Sequence, residues 1–166
     1  MNYIHIHSIT NNWCEQVNQL GLDGKNVLVI GYPGSGKTHL VNLIPKTEHK
    51  FIRTDDYISF GFEQSLYECL KDITDIQSTG RSTFVEGIQG YRLLRKGLQT
   101  GTYFPDVVIE VKRDWAKIEE LYRTERGIDK LKGATSMAKS CDKILNEYLS
   151  MPNENKPLKW IVVDNN

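Results

Sequence analysis

The stretch "NVLVIGYPGSGKTHL", residues 26–40, decides the fold. Val27, Leu28, Val29 and Ile30 form a short continuous apolar run of the kind buried inside parallel sheets. The next eight residues, Gly31-Tyr32-Pro33-Gly34-Ser35-Gly36-Lys37-Thr38, spell G-x-x-x-x-G-K-[ST]. "KTHLVNLI" then begins a helix that Pro45 stops. A strand before and a helix after is the context that gives this motif meaning. Its glycines let the backbone wrap so that successive N–H groups, from Gly34 through Thr38, point into one concavity. The concavity lies at a helix N-terminus, where the macrodipole favours anions. Gly31, Gly34, Ser35, Gly36, Lys37 and Thr38 are therefore the expected cradle of a nucleotide triphosphate. Lys37 would supply a mobile cation to the β- and γ-phosphates, and the Thr38 hydroxyl a ligand for Mg²⁺. His39, next on the first helical turn, is counted with the cradle, local packing being its simpler role.

Working outward, a chain of 166 residues is long enough for one domain with a proper core. Lys+Arg 21 balances Asp+Glu 21, so no overall positive field advertises nucleic acid or an anionic membrane. Cys14, Cys69 and Cys141 are odd in number and far apart, without C-x-x-C spacing, which suits buried free thiols in a reducing compartment. The N-terminus "MNYIHIHSIT" has neither the basic start nor the apolar core of a signal peptide. No apolar run is long enough to span a bilayer. A soluble protein of the cytoplasm is expected, the host's cytoplasm if the source is viral.

Apolar runs alternate with helical patterns along the chain. After the strand at 26–30, further strands are expected at "HKFIRT" (49–54), "STFVEG" (82–87), "PDVVIEVK" (105–112) and "LKWIVVDNN" (158–166). Helices are expected over "FEQSLYECLKDITDI", "YRLLRKGLQ", "WAKIEELYRTER" and "SMAKSCDKILNEYLSM". Such alternation gives an α/β fold: a five-stranded parallel sheet in three layers, with helices on both faces. Residues 26–166 form the core of a single domain in this reading, and residues 1–25 an N-terminal extension. Within that extension "YIHIH" could be an edge strand and "NNWCEQVNQLGLDG" a helix capped by Asn11 or Asn12. His5 and His7 alternate on that strand, but no third metal ligand lies near them in sequence.

Open α/β sheets place ligands at the carboxyl ends of their strands. There the sequence offers Asp55-Asp56-Tyr57, Glu86-Gly87, and a helix with Arg123 and Arg126. In this order the motifs resemble those of the small P-loop kinases, of the uridine-kinase-like and nicotinamide-riboside-kinase-like group. In that group an acidic D-D-F/Y follows the second strand, E-G the third, and an arginine-rich lid helix the fourth. The resemblance covers most of residues 26–165, though beyond the loop each motif is two or three residues long. It implies an ATP- and Mg²⁺-dependent kinase acting on a hydroxyl of a nucleoside- or nucleotide-like acceptor. By carry-over Asp55 would be the acceptor-side base and a further metal-site residue, with Asp56 the second candidate or a helix cap. Glu86 would reach Mg²⁺ or fix the acceptor. Arg123 and Arg126 would be lid arginines, set against their simpler part in ion pairs such as Glu119–Arg123. Arg81, Arg92 and Arg95 could each meet an anionic acceptor. Asn165, in the terminal "VVDNN", lies where adenine rests in this fold.

The lid pattern departs from the family: Tyr122 replaces a first arginine, Gly127 an aspartate, and "GIDKLKGATSM" leaves room only for a short loop. An open front could admit a base within DNA, as in phage kinases that phosphorylate 5-hydroxymethyluracil, with the base flipped into the site. A module coupling ATP hydrolysis to a partner is a further alternative, without room here for a second subdomain. A GTPase switch would need an N-K-x-D element, which the sequence lacks. Trp13, Trp115 and Trp160 read most simply as packing residues.

Overall fold

The computed structural model describes residues 1–7, 15–16, 19–152 and 154–166. The helix expected over residues 11–24 falls partly outside these, at 11–14 and 17–18, which takes in its Asn11 or Asn12 cap, Trp13 and Cys14. Six strands form one sheet: β1 (Asn2–His7), β2 (Val27–Gly31), β3 (His49–Arg53), β4 (Ser82–Glu86), β5 (Val107–Lys112) and β6 (Lys159–Asp164). Their order is β1-β6-β5-β2-β4-β3, and each neighbouring pair is parallel. The sheet therefore has six strands and not the five expected. The added one is "YIHIH", which runs alongside β6 with Tyr3 opposite Trp160 and His7 opposite Asp164. Its burial is slight, with only Ile6 in the core, so its sequence lacked the continuous apolar signature of the inner strands.

The helices are α1 (Lys37–Leu43), α2 (Phe62–Ser78), α3 (Gly90–Thr100), α4 (Trp115–Leu121) and α5 (Leu131–Leu149). Side chains alternate across β2, so the sheet has two apolar faces. Leu28 and Ile30 belong to the core that includes α2, α3 and α5; Val27 and Val29 belong to the one that includes Leu40, Val41 and Ile44. Two helical expectations are corrected. The pattern "WAKIEELYRTER" is α-helical only to Leu121 and continues as a wider π turn, Tyr122–Arg126. Helix α5 begins at Leu131, so most of "GIDKLKGATSM" is helix, preceded by one short turn at Ile128–Lys130.

Polar residues inside the sheet have partners. Glu110, in the middle of β5, accepts from the Trp160 indole N–H at 2.8 Å across the β5–β6 pairing. That explains a carboxylate within "VVIEVK" and places Trp160 in the core. Cys69 and Cys141 are buried free thiols; burial pushes Cys69 up to about 12 and Cys141 to about 11. Among the described residues no helix is long and apolar enough to cross a membrane.

On α2, Leu66, Cys69, Leu70 and Ile73 face the core at helical spacing, and Ile73 is fully buried. Ile73→Ala is expected to destabilise the fold by about 2–5 kcal/mol, the transfer and cavity cost of a core isoleucine. Exposed Tyr67 on the same helix should tolerate alanine within about 0.5 kcal/mol. Denaturant unfolding of both variants checks the assignment of the stripe.

Candidate nucleotide-binding site

Strand β2 lies between β4 and β5 and ends at Gly31, from which residues 32–36 turn the chain into α1. Gly34 and Gly36 have φ of 81° and 94°, left-handed values that other residues rarely adopt. The coil is tight: a Cβ at Gly31 would stand 2.5 Å from Ser35 Oγ and 2.7 Å from the Val111 carbonyl. The Ser35 N–H closes the turn onto Tyr32 O at 3.1 Å. Two side chains hold the loop from outside. Arg113 Nη1 donates to Gly34 O at 3.3 Å, and Asn165 Nδ2 to Ser35 O at 2.8 Å. Both tethers use carbonyls. Among the described residues, nothing in the protein accepts from the N–H groups of Gly34, Gly36, Lys37 or Thr38.

Lys37 is buried, and its ammonium donates to Tyr32 O at 3.1 Å. Burial pulls its pKa below the ordinary lysine value, and Glu86, Cys141 and Asp55 oppose that pull. Thr38 lies on the exposed side, with Oγ1 donating to Glu86 Oε1 at 3.3 Å. Glu86 is 4% exposed at the end of β4, its other oxygen 3.6 Å from Arg53 Nε. Buried Ser35 Oγ has no partner. Unsatisfied loop amides, a buried ammonium and a hydroxyl–carboxylate pair are groups that a polyphosphate with Mg²⁺ would satisfy.

The other expected residues separate. Asp55 and Asp56 both lie in the 3₁₀ turn Thr54–Phe60 after β3, and both are exposed. Asp55 is close enough to support the Lys37 charge, whereas Asp56 lines a different groove with Lys50, Tyr57 and Asp72. Arg126 acts on Lys37 as a like charge and lines a hollow with Pro33, Asp129 and Lys130. Arg123 pairs instead with Glu119 at 3.9 Å. His39 is exposed, so it does not pack as expected. The Asn165 amide is engaged by the loop backbone.

Sequence reasoning missed several contributors. Arg113 stands just past β5, at the carboxyl edge of the sheet, outside any acidic or lid motif. Asp142, on α5, accepts from the Tyr32 hydroxyl, and Cys141 beside it feels the Lys37 charge. Thr54 fills the space where Gly87, φ 142°, would carry a side chain. No local motif announces these residues; the end of β5, the packing of α5 and the turn after β3 bring them in. A cleft of about 620 Å³ lies between α2, α3 and α5. Phe62, Gln89, Arg92, Arg95, Cys141 and Lys143 are among its walls.

No family model matches the chain. Two curated relatives, both named small ribosomal subunit biogenesis GTPase RsgA, from two strains of Porphyromonas gingivalis, are 28% identical to it over 105 residues. The match takes in 62% of this chain and 33% of each relative, so the chain spans about a third of the length of the curated relatives it matches. Together with the parallel sheet and the loop, the likeness supports a nucleotide-binding P-loop NTPase fold.

Proposed function

We propose that this chain is an ATP- and Mg²⁺-dependent kinase that transfers the γ-phosphate to a hydroxyl of a nucleoside- or nucleotide-like acceptor. The observation that carries the reading is the second cleft. It is walled by α2, α3 and α5, and one of its wall residues, Cys141, feels the charge of the loop lysine, which supports a separate acceptor pocket on that side of the donor. Hydrolysis or switching requires no such room.

The residues take roles that follow from their positions. The loop amides and Lys37 hold the β- and γ-phosphates, and Thr38 with Glu86 would hold Mg²⁺. That ion supplies charge neutralisation across the phosphates. Asp55 orients the acceptor hydroxyl and takes its proton late, as a loose transition state requires. Arg126 lies on the side from which a lid cation would approach. Arg92 and Arg95 in the cleft suit an anionic acceptor, although each already has a carboxylate partner, Glu63 and Glu147. ATP is the donor in this reading, since no N-K-x-D element is present to select guanine.

One observation favours the second reading, phosphorylation of a modified base in DNA. Phe60, Phe62 and Tyr67 are exposed around the start of α2, with Arg92 over the Phe62 ring and Lys96 over Tyr67. Exposed rings beside cations suit stacked bases and phosphates.

The test is incubation with γ-labelled ATP, or GTP in parallel, plus Mg²⁺ and a panel of nucleosides, nucleotides and DNA containing 5-hydroxymethyluracil. Label on a free acceptor supports the first reading, and label on the DNA base the second. Phosphate release that ignores every acceptor overturns both. Asp55→Asn is expected to lower kcat by about 10²–10⁴-fold with ATP affinity nearly unchanged. Asp56→Asn, facing the other groove, should be the milder of the two.

A further inference from the structure

We propose that His5, His7 and Asp164 form a binding site for a late first-row divalent cation such as Zn²⁺, separate from the nucleotide loop. His5 and His7 are two apart on β1 and so project from one face of the strand. The parallel register sets His7 directly opposite Asp164 of β6. Asp164 Oδ2 is 3.2 Å from His7 Nδ1 and 3.8 Å from His5 Nδ1, and the two rings lie 5.4 Å apart. One ligand atom from each residue falls within 4.8 Å of the other two. Three donors bound at about 2.0–2.2 Å to one tetrahedral ion would stand roughly 3.3–3.5 Å apart, so a rotamer adjustment closes the set.

The donor types select the ion. Two imidazoles and one carboxylate, with a fourth position open to water, suit Zn²⁺, Ni²⁺ or Cu²⁺. The Thr38–Glu86 oxygen pair suits Mg²⁺ instead, so the two sites differ in chemistry. Among the described residues no lysine or arginine pairs with Asp164; its ion-pair partners are these two histidines. The scaffold is firm, because the next residue, Asn165, is tied by its N–H to Lys112 O at 2.7 Å. A bound cation would join β1 to β6 across the outermost ladder of the sheet.

The experiment titrates the full chain with Zn²⁺ by calorimetry, with Co²⁺ as the spectroscopic probe, and follows thermal melting with and without Zn²⁺. One ion per chain is expected, with a Co²⁺ visible spectrum of nitrogen and oxygen ligation and a higher Tm in the presence of Zn²⁺. His5→Ala, His7→Ala and Asp164→Asn should each weaken Zn²⁺ binding about 100-fold and abolish the Tm rise. The two histidines are exposed, so their alanine variants should melt as the wild type does without metal. The proposal is overturned by an absence of binding, by binding that survives His7→Ala, or by a thiolate charge-transfer band in the Co²⁺ spectrum. None of these outcomes depends on whether the chain is a kinase.

Discussion

Lys37→Met is expected to leave a folded protein whose phosphate transfer has fallen by about 10²–10³-fold, the loss that follows removal of one transition-state donor. Alanine is the poorer probe, because the lysine stem is packed and its Cγ stands 3.0 Å from the position of a Gly31 Cβ. Methionine keeps that stem. It also removes a charge whose burial disfavours it, so thermal stability should hold or rise. The measurement is steady-state transfer alongside melting. A variant that unfolds would show that Lys37 mainly holds the loop through its bond to Tyr32 O. One that keeps near-full activity would show that the loop has been misread.

Glu86→Gln should be nearly as damaging, and in a distinguishable way. The carboxylate faces Thr38 and Arg53 while being the largest influence that keeps Lys37 charged. The amide keeps the shape and can still accept from Thr38, but it removes the negative charge. Turnover should fall by about 10²-fold or more, and the Mg²⁺ concentration for half-maximal rate should rise. A second consequence has a definite sign. With Glu86 neutral, the Lys37 ammonium loses its main support, its pKa falls further, and the alkaline limb of the rate profile moves to lower pH. A limb that stays in place while turnover drops would mean that Glu86 serves the metal alone. An unchanged rate would remove the acidic partner from the site altogether.

The sequence carried the loop because a fixed spacing of glycines, lysine and threonine is itself the mechanism, and the flanking apolar run supplied its context. Strands β2, β4, β5 and β6 were legible for a related reason: they are buried on both faces. Strand β1 was weaker, since one face of "YIHIH" is exposed histidine and tyrosine. Helix α5 was begun too late because Gly133 and the small, polar residues around it interrupt the apolar stripe. In the site, acidic residues just past a strand end were legible, whereas Arg113 carries no motif of its own and Asp142 and Cys141 are brought in by the packing of α5. The His5–His7–Asp164 group shows the limit plainly: two members were visible, and the third is 157 residues beyond His7.

The parallel pairing of β1 with β6 also bears on how the molecule is made. In order of synthesis, residues 2–7 precede the residues 159–164 on which they must dock. Through most of translation this segment is a strand without a template, and closing so long a loop is the costliest contact in chain entropy. The centre of the sheet, where β2 takes up β4 and β5, can form earlier from nearer partners. On chain entropy alone, pairing at the centre of the sheet costs least to close, and the edge bearing the two histidines costs most.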